Sequence, residues 1–268
     1  MAPRPRIRTW RPDVPGVAEV LHAHFPSHAY PPHTHDTWTV LLVDHGTVRY
    51  DLGRHERATA RSRVTVLPPY VAHDGRSAEA GGFRKRVLYL DADRLDPERV
   101  GSWVDRPDPA DGALRAAVDR LHRAVALPGE ELAAEVGLAL VVERLQRHLA
   151  RVDPEAPPVT APTLARRLRE LLDERMVEGV SLAEAAAELG ADPAHLVRVF
   201  RREVGVPPHR YLVGRRLDAA RHALLAGHPP AEVAVQVGFH DQSHLHRHFR
   251  RLLGVTPGEY VRSLNPGR

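Results

Sequence analysis

The sequence predicts an α+β multidomain chain, with an antiparallel β-barrel and its following helices at the N-terminus and an all-α domain at the C-terminus. Three observations carry this. Short runs rich in Val, Leu and aromatics fill the first ninety or so residues, helical periodicity takes over from Ala110, and four prolines crowd the stretch from Asp153 to Pro162. The expected boundaries are 1–152, with the barrel about 15–92 and helices about 110–150, a Pro-rich semi-rigid linker at 153–162, and the helical domain at 163–268.

The strands are expected at Val17–Phe25, Thr37–Val43, Thr47–Leu52, Arg63–Leu67 and Arg84–Leu90. Gly46 and Gly53 mark turns and Pro68-Pro69 ends a strand. Such closely spaced short strands suit a small barrel or sandwich. Leu114, Val118, Leu121 and Val125 then recur at helical spacing. A second helix, Glu131–Leu149, is apolar around most of its girth, with Leu138 and Val142 among the residues expected to meet a second copy of the chain.

Composition narrows the chemistry. With 268 residues the chain is long enough for two compact domains with separate cores. There is no cysteine, so disulfides, thiolate metal sites and thiol nucleophiles are excluded. No apolar run is long enough to span a bilayer. Met1–Trp10 is Arg- and Pro-rich without an apolar core, unlike a secretory signal, so a cytoplasmic location is expected. Residues 160–268 hold 16 Arg and no Lys against 12 Asp and Glu, while the remainder is balanced, so the net +4 sits entirely in the helical domain. That is the sign of charge a polyanion partner requires.

The helical domain repeats itself. Ala183, Glu184, Ala186 and Gly190 match Ala231, Glu232, Ala234 and Gly238 at an offset of 48. Leu196, Phe200, Arg201, Arg202, Gly205, Pro208 and Tyr211 match Leu245, Phe249, Arg250, Arg251, Gly254, Pro257 and Tyr260 at 49, one residue being added in the second turn. Each copy reads as short helix, Gly turn, longer helix, which is a helix-turn-helix unit. Ser181/Glu184 and Thr256/Glu259 form capping boxes, and Asp192 and Asp241 cap the longer helices. Leu196, Val199 and Phe200, and Leu245, Phe249 and Leu252, must face inward. The opposite faces are Ala194, Arg198 and Arg201 in one copy and Ser243, Arg247 and Arg250 in the other. A solvated charged face explains one such helix. It does not explain the same arginines recurring in both.

From Leu182 to Val261 the sequence resembles the DNA-binding domain of AraC/XylS regulators, most specifically in Glu232–Arg251 followed by Gly254-Val-Thr-Pro-Gly-Glu-Tyr260. The resemblance implies seven helices, two recognition helices entering successive major grooves of double-stranded DNA, a bacterial, nucleoid-associated regulator, a homodimer, and activation through the transcription machinery more often than repression. By family position the base-edge residues are Ala194, Val197, Arg198, Gln242, Ser243, His244, His246 and Arg247. Arg201, Arg202, Arg250 and Arg251, further along, are expected on phosphates.

Pro32-His33-Thr-His35, Gly46 and Pro68-Pro-Tyr-Val-Ala-His73 resemble the cupin-like sensory domain that often precedes this module. His33, His35, Trp38, Tyr50 and His73 are therefore the expected contacts of a small-molecule effector. A cupin metal site would add a carboxylate where Trp38 and Thr39 stand, so no metal, no cofactor and no catalytic residue are expected. The alternative is a metal-dependent cupin enzyme or metal sensor fused to a DNA-binding module. His240, His244 and His248 recur at four-residue spacing, but the expectation there too is no metal.

Overall fold

The computed structural model describes residues 5–152 and 163–262, apart from 54, 60 and 62. Met1–Arg4 and the Pro-rich stretch 153–162 lie outside the described residues. Among the described residues nine strands form two antiparallel sheets. The strands are β1 (Arg6–Trp10), β2 (Val17–Phe25), β3 (Ala29–His33), β4 (Trp38–His45), β5 (Val48–Leu52), β6 (His55–Thr59), β7 (Val64–Leu67), β8 (His73–Ser77) and β9 (Phe83–Leu90). One sheet runs β1-β2-β9-β4-β7, the other β3-β8-β5-β6. The small barrel thus takes a flattened, two-sheet form.

The five expected strands are present, with ends shifted by at most two residues. The other four are polar or carry proline: RIRTW, AYPPH, HERAT and HDGRS. They are strands because partners hold them. β3 pairs with β8 across a register break between Tyr30 and His33, where Pro31 and Pro32 cannot donate to the ladder.

Side chains alternate sharply across the larger sheet. Trp38, Val40, Leu42, Leu88 and Leu90 face the helices α1 (Val100–Asp105), α2 (Gly112–Ala124) and α3 (Glu131–Val152), with Trp103, Leu114, Leu121 and Val141 opposite. Leu41, Val43, Phe83, Val87 and Tyr89 face the other way. On α3, Leu138 is 5% exposed and belongs to the core. The outward stripe is Leu132, Val136 and Leu140, at 74, 53 and 46% exposure. The expectation that Leu138 faces a second copy is therefore corrected. One helical step separates a core position from a surface one, and a helix with apolar residues around most of its girth hides that step.

Among the described residues seven helices follow: α4 (Leu164–Glu174), α5 (Leu182–Leu189), α6 (Pro193–Val204), α7 (Pro208–Leu225), α8 (Pro230–Gln236), α9 (Gln242–Leu253) and α10 (Pro257–Arg262). Their ends obey the caps read from sequence. Asp192 and Asp241 accept from the amides of His195 and His244 at 2.9 and 2.7 Å, and both capping boxes are closed. The turns use Gly190 and Gly238 at φ +63° and +88°, and a Cβ on Gly238 would stand 2.5 Å from the Val177 carbonyl.

The two halves do not have separate cores. Leu21, Phe25, Val87 and Tyr89 of the sheet share one apolar cluster with Leu217 and Leu224 of α7, Phe249 and Leu253 of α9 and Tyr260 of α10. The second helix-turn-helix unit thus packs on the inner side of the larger sheet. The first, around Leu196, Phe200 and Tyr211, has its own cluster, which also takes in Ala72.

Candidate functional site

The longer helices of the two repeats, α6 and α9, present matched outer faces. Ala194, Arg198, Arg201 and Arg202 are exposed on α6, and Gln242, Ser243, His246, Arg247, Arg250 and Arg251 on α9. Val197 is half-buried. His244 is half-buried too, edge-on to Phe239 at 5.3 Å and with its Nε2 3.1 Å from that of His248. His240 stands apart, paired with Asp241 at 3.2 Å. The three histidines spaced by four residues therefore form one pair and one outlier.

In the sensory half the structure brings His33, His35 and His73 together. His33 ends β3, His73 begins β8, and their Cα atoms are register partners. The ring centroids of His33 and His73 are 4.5 Å apart, those of His33 and His35 4.8 Å. All three are buried. Burial, together with the neighbouring rings, holds His33 and His35 well below the ordinary imidazole range. Burial brings His73 to about 4, so the rings are neutral at physiological pH.

These rings line a void of about 40 Å³ shared with Thr39, Tyr50, Lys85 and Tyr89. Tyr50 is where sequence put it, its hydroxyl donating to Asp108 at 2.9 Å. Trp38 is not, and that expectation is corrected. It faces the helices, donates to the Ala92 carbonyl at 3.1 Å and packs against Trp103. The reason is the strand's two-residue period, which gives the void to Thr39 and Leu41. Lys85 was missed. It sits over Tyr30, 4.2 Å from the ring centroid, and burial with the Arg221 charge pulls its amine down to about 7. The signal was available, because Phe83, Lys85, Val87 and Tyr89 alternate on one strand face and Lys85 is the chain's single lysine.

An ionic network lies behind the void and meets His35 and Tyr89 of its wall from the helical side. Arg221 of α7 donates to Glu19 of β2 at 2.5 Å and to Asp218 at 3.3 Å, and stacks on Tyr89. Thr9 and Tyr260 complete the shell of Glu19 at 2.7 and 2.5 Å. Asp218 meets His35 Nδ1 at 3.1 Å. Arg215 spans Asp36 and Asp173, each at 2.9 Å. Burial and the repulsion of Asp36 push Asp218 up to about 7 against the pull of Arg221 and Arg215. Asp36 goes the other way: burial opposes its charge, but Arg215 outweighs burial and holds the carboxyl low. None of these partners was legible as a pair in sequence.

Residues 15–142 match the family model of the AraC-like ligand binding domain, and residues 185–263 match that of a helix-turn-helix domain. A curated relative, the HTH-type transcriptional regulator YbfI of Bacillus subtilis (strain 168), is 30% identical over 130 residues, 48% of this chain and 47% of that protein. The match thus spans about half of the relative's length. An apo variant of ToxT from Vibrio cholerae strain SCE256 superposes with a TM-score of 0.66 over 97% of both chains at 13% identity. Wild-type ToxT of the same strain with unsaturated fatty acid bound gives 0.61 over 98% of this chain and 96% of that one, at 14% identity. At such identities the likeness is one of fold. Its extent along the chain, with a ligand-binding match on the two-sheet half and a helix-turn-helix match on the helical half, agrees with the architecture built above, and the chain belongs to the AraC-type family of transcription regulators.

Proposed function

We propose that this chain is a sequence-specific, effector-responsive transcription regulator that binds double-stranded DNA through α6 and α9. The observation that carries the reading is the equivalence of the two outer faces: Arg198 and Arg247 stand at repeat-related positions, both exposed, each one turn into its helix. There an Arg donates two bonds to guanine O6 and N7, worth about 1–3 kcal/mol of discrimination. In this reading Ala194, Val197 and Arg198 meet base edges in one groove, and Gln242, Ser243, His244, His246 and Arg247 in the next. Arg201, Arg202, Arg250 and Arg251 meet phosphates.

The family favours activation over repression, a bacterial cytoplasmic and nucleoid setting, and a homodimer. The outward stripe of Leu132, Val136 and Leu140 supplies a dimer surface. No helix among the described residues is long and apolar enough to cross a membrane. The effector site is the void beneath His33, His35, Tyr50 and His73. Organic effectors fill pockets of about 300–1,000 Å³, so this void of about 40 Å³ holds only a much smaller guest.

The test is selection of random DNA fragments by the purified chain, followed by binding to the enriched sequence and its single-base variants. An enriched sequence with two recognisable half-elements is expected. Retention of DNA without enrichment of any sequence would overturn the reading.

A further inference from the structure

We infer that Arg216 of α7 is a positioning residue for DNA recognition. It ties the α4–α5 turn of the first helix-turn-helix unit to the α8–α9 turn of the second, and so fixes the spacing and angle between the two outer faces. The tie stands on the structure alone; its consequence for the spacing of half-elements rests on the DNA reading.

The two units share no apolar core. Among the described residues, the buried side chains of α4, α5 and α6 cluster around Leu172, Leu196 and Phe200, and those of α8, α9 and α10 around Val233, Phe249 and Tyr260. Helix α7 serves both, with Tyr211 in the first cluster and Leu217 and Leu224 in the second. The two-sheet half supports them unequally. It gives a sheet face to the second cluster but only Ala72 and Tyr70 to the first. Relative motion is the default for bodies that share no large apolar interface. A helix common to both fixes a length between them and leaves each free to rock about it.

Arg216 supplies the missing contact. Its Nε donates to the Met176 carbonyl at 2.7 Å and its Nη2 to that of Val177 at 3.3 Å. Both oxygens lie just beyond the C-terminus of α4, where carbonyls lack helical partners and a cation is favoured. Val177 in turn presses on the second unit. A Cβ on Gly238, in the α8–α9 turn, would stand 2.5 Å from the Val177 carbonyl oxygen, 2.8 Å from Arg216 Nε and 2.9 Å from Val177 Cα. Helix α7, a turn of the first unit and a turn of the second therefore meet at one point.

The neighbouring arginines spend their charge on carboxylates: Arg215 on Asp36 and Asp173, Arg221 on Glu19 and Asp218. Arg216 has no ion pair among the described residues, and burial alone pulls its guanidinium below the ordinary value. A half-buried cation without a carboxylate is held there for its donors. The rigid guanidinium fork suits two successive carbonyls, and an ammonium has no such fixed pair. DNA makes the rigidity matter. One base pair added between half-elements moves the second by about 3.4 Å and turns it by roughly 35°. Units locked together cannot follow that change, and units that rock can.

The test uses the full chain in two ways. The chain has no cysteine, so Ala187→Cys on α5 and Val235→Cys on α8, both exposed, take one spin label in each unit. The distance between labels, read by double electron–electron resonance, should be narrowly distributed in the parent and clearly broader in Arg216→Met, with Arg216→Lys between. On the selected DNA, one base pair inserted between half-elements should weaken the parent on the order of 100-fold, because linked modules lose joint binding. Arg216→Met should lose less than about 10-fold, with its affinity for a single half-element within about twofold of the parent. Arg216→Lys carries both measurements should Arg216→Met fail to fold by circular dichroism. A parent distribution that is already broad overturns the proposal, and so does one that stays as narrow in the variants. Broadening with the full insertion penalty retained overturns the consequence for half-element spacing. Broadening in a chain that enriches no DNA sequence leaves the tie standing and removes the DNA reading instead.

Discussion

Arg221 and Glu19, 202 positions apart in sequence, meet at 2.5 Å where neither touches solvent. Desolvating two charges is costly, and their attraction offsets that cost only because Asp218, Tyr260 and Thr9 complete the shell. Removing one partner leaves the other buried and unpaired. Arg221→Met should therefore cost about 3–5 kcal/mol, while adding Glu19→Gln to it should recover much of the loss. Urea unfolding of the two singles and the double, read as a cycle, checks this. Additive effects would mean the pair does not act as a unit.

The outer faces of α6 and α9 predict two kinds of failure. Arg198→Ala or Arg247→Ala should lose preference at one base pair while keeping general affinity. Arg202→Ala or Arg251→Ala should weaken binding to every sequence and lower the salt slope by about one unit. Binding to the selected DNA and its single-base variants across a salt series separates them. Full base preference in both Arg198→Ala and Arg247→Ala would place the reading face elsewhere.

The stripe on α3 predicts a dimer. A symmetric interface places each changed residue twice, and burying a Leu is worth about 1.5–3 kcal/mol. Leu132→Glu with Leu140→Glu should weaken self-association on the order of 100-fold or more, with the fold intact. Sedimentation at micromolar concentration decides it, and a parent chain that is already monomeric refutes it.

A pair of histidines predicts acid sensitivity. His22 Nε2 and His122 Nδ1 are 3.3 Å apart. Burial, with Arg86 nearby, pulls His22 down to about 4, and burial with His22 and Arg86 beside it pulls His122 well below its ordinary value. Both folded values lie under the unfolded 6.5, so the unfolded chain binds more protons between about 4 and 6.5. Stability should rise with pH across that window and fall as pH drops through it. Each group contributes at most about 1.4 kcal/mol per pH unit. His122→Leu, which also removes the orphaned Nε2 of His122, should flatten part of this slope. Urea midpoints at pH 7.5 and 5.0, with chelator present, measure it, and an unchanged slope rejects the assignment.

What was legible in the sequence was what is local. The caps at Asp192 and Asp241, the Gly190 and Gly238 turns and the two arginine faces depend on residues within a turn of one another, and the repeat shows each twice. β2 and β9 were legible because their apolar runs are strands whatever they pair with. β3 and β8, which carry His33 and His73, were not, because Pro31, Pro32 and a polar HDGRS become strands only through each other. Trp38 was misplaced for want of the strand's phase. Glu19, Asp218 and Arg221 carry no signal in the sequence, because burial of a charge is decided by a partner far along the chain. The histidines were identified, but that their Nδ1 atoms are all taken depends on the Pro31 and Val71 carbonyls and on Asp218, far along the chain.

The 18-residue α7, ~27 Å long at 1.5 Å per residue, separates the two recognition helices and also seals the sensory half through Asp218 and Arg221. It passes so close to that half that the Cβ missing from Gly214 would lie 3.6 Å from the Thr34 carbonyl. On the proposed function, one segment thus sets the spacing of the two outer faces and walls the two-sheet half. A substitution that retunes the distance between half-elements alters the mouth of the sensor in the same stroke, and one that reshapes the sensor resets that spacing. On the proposed function, a change along α7 is expected to alter operator choice and signal choice together.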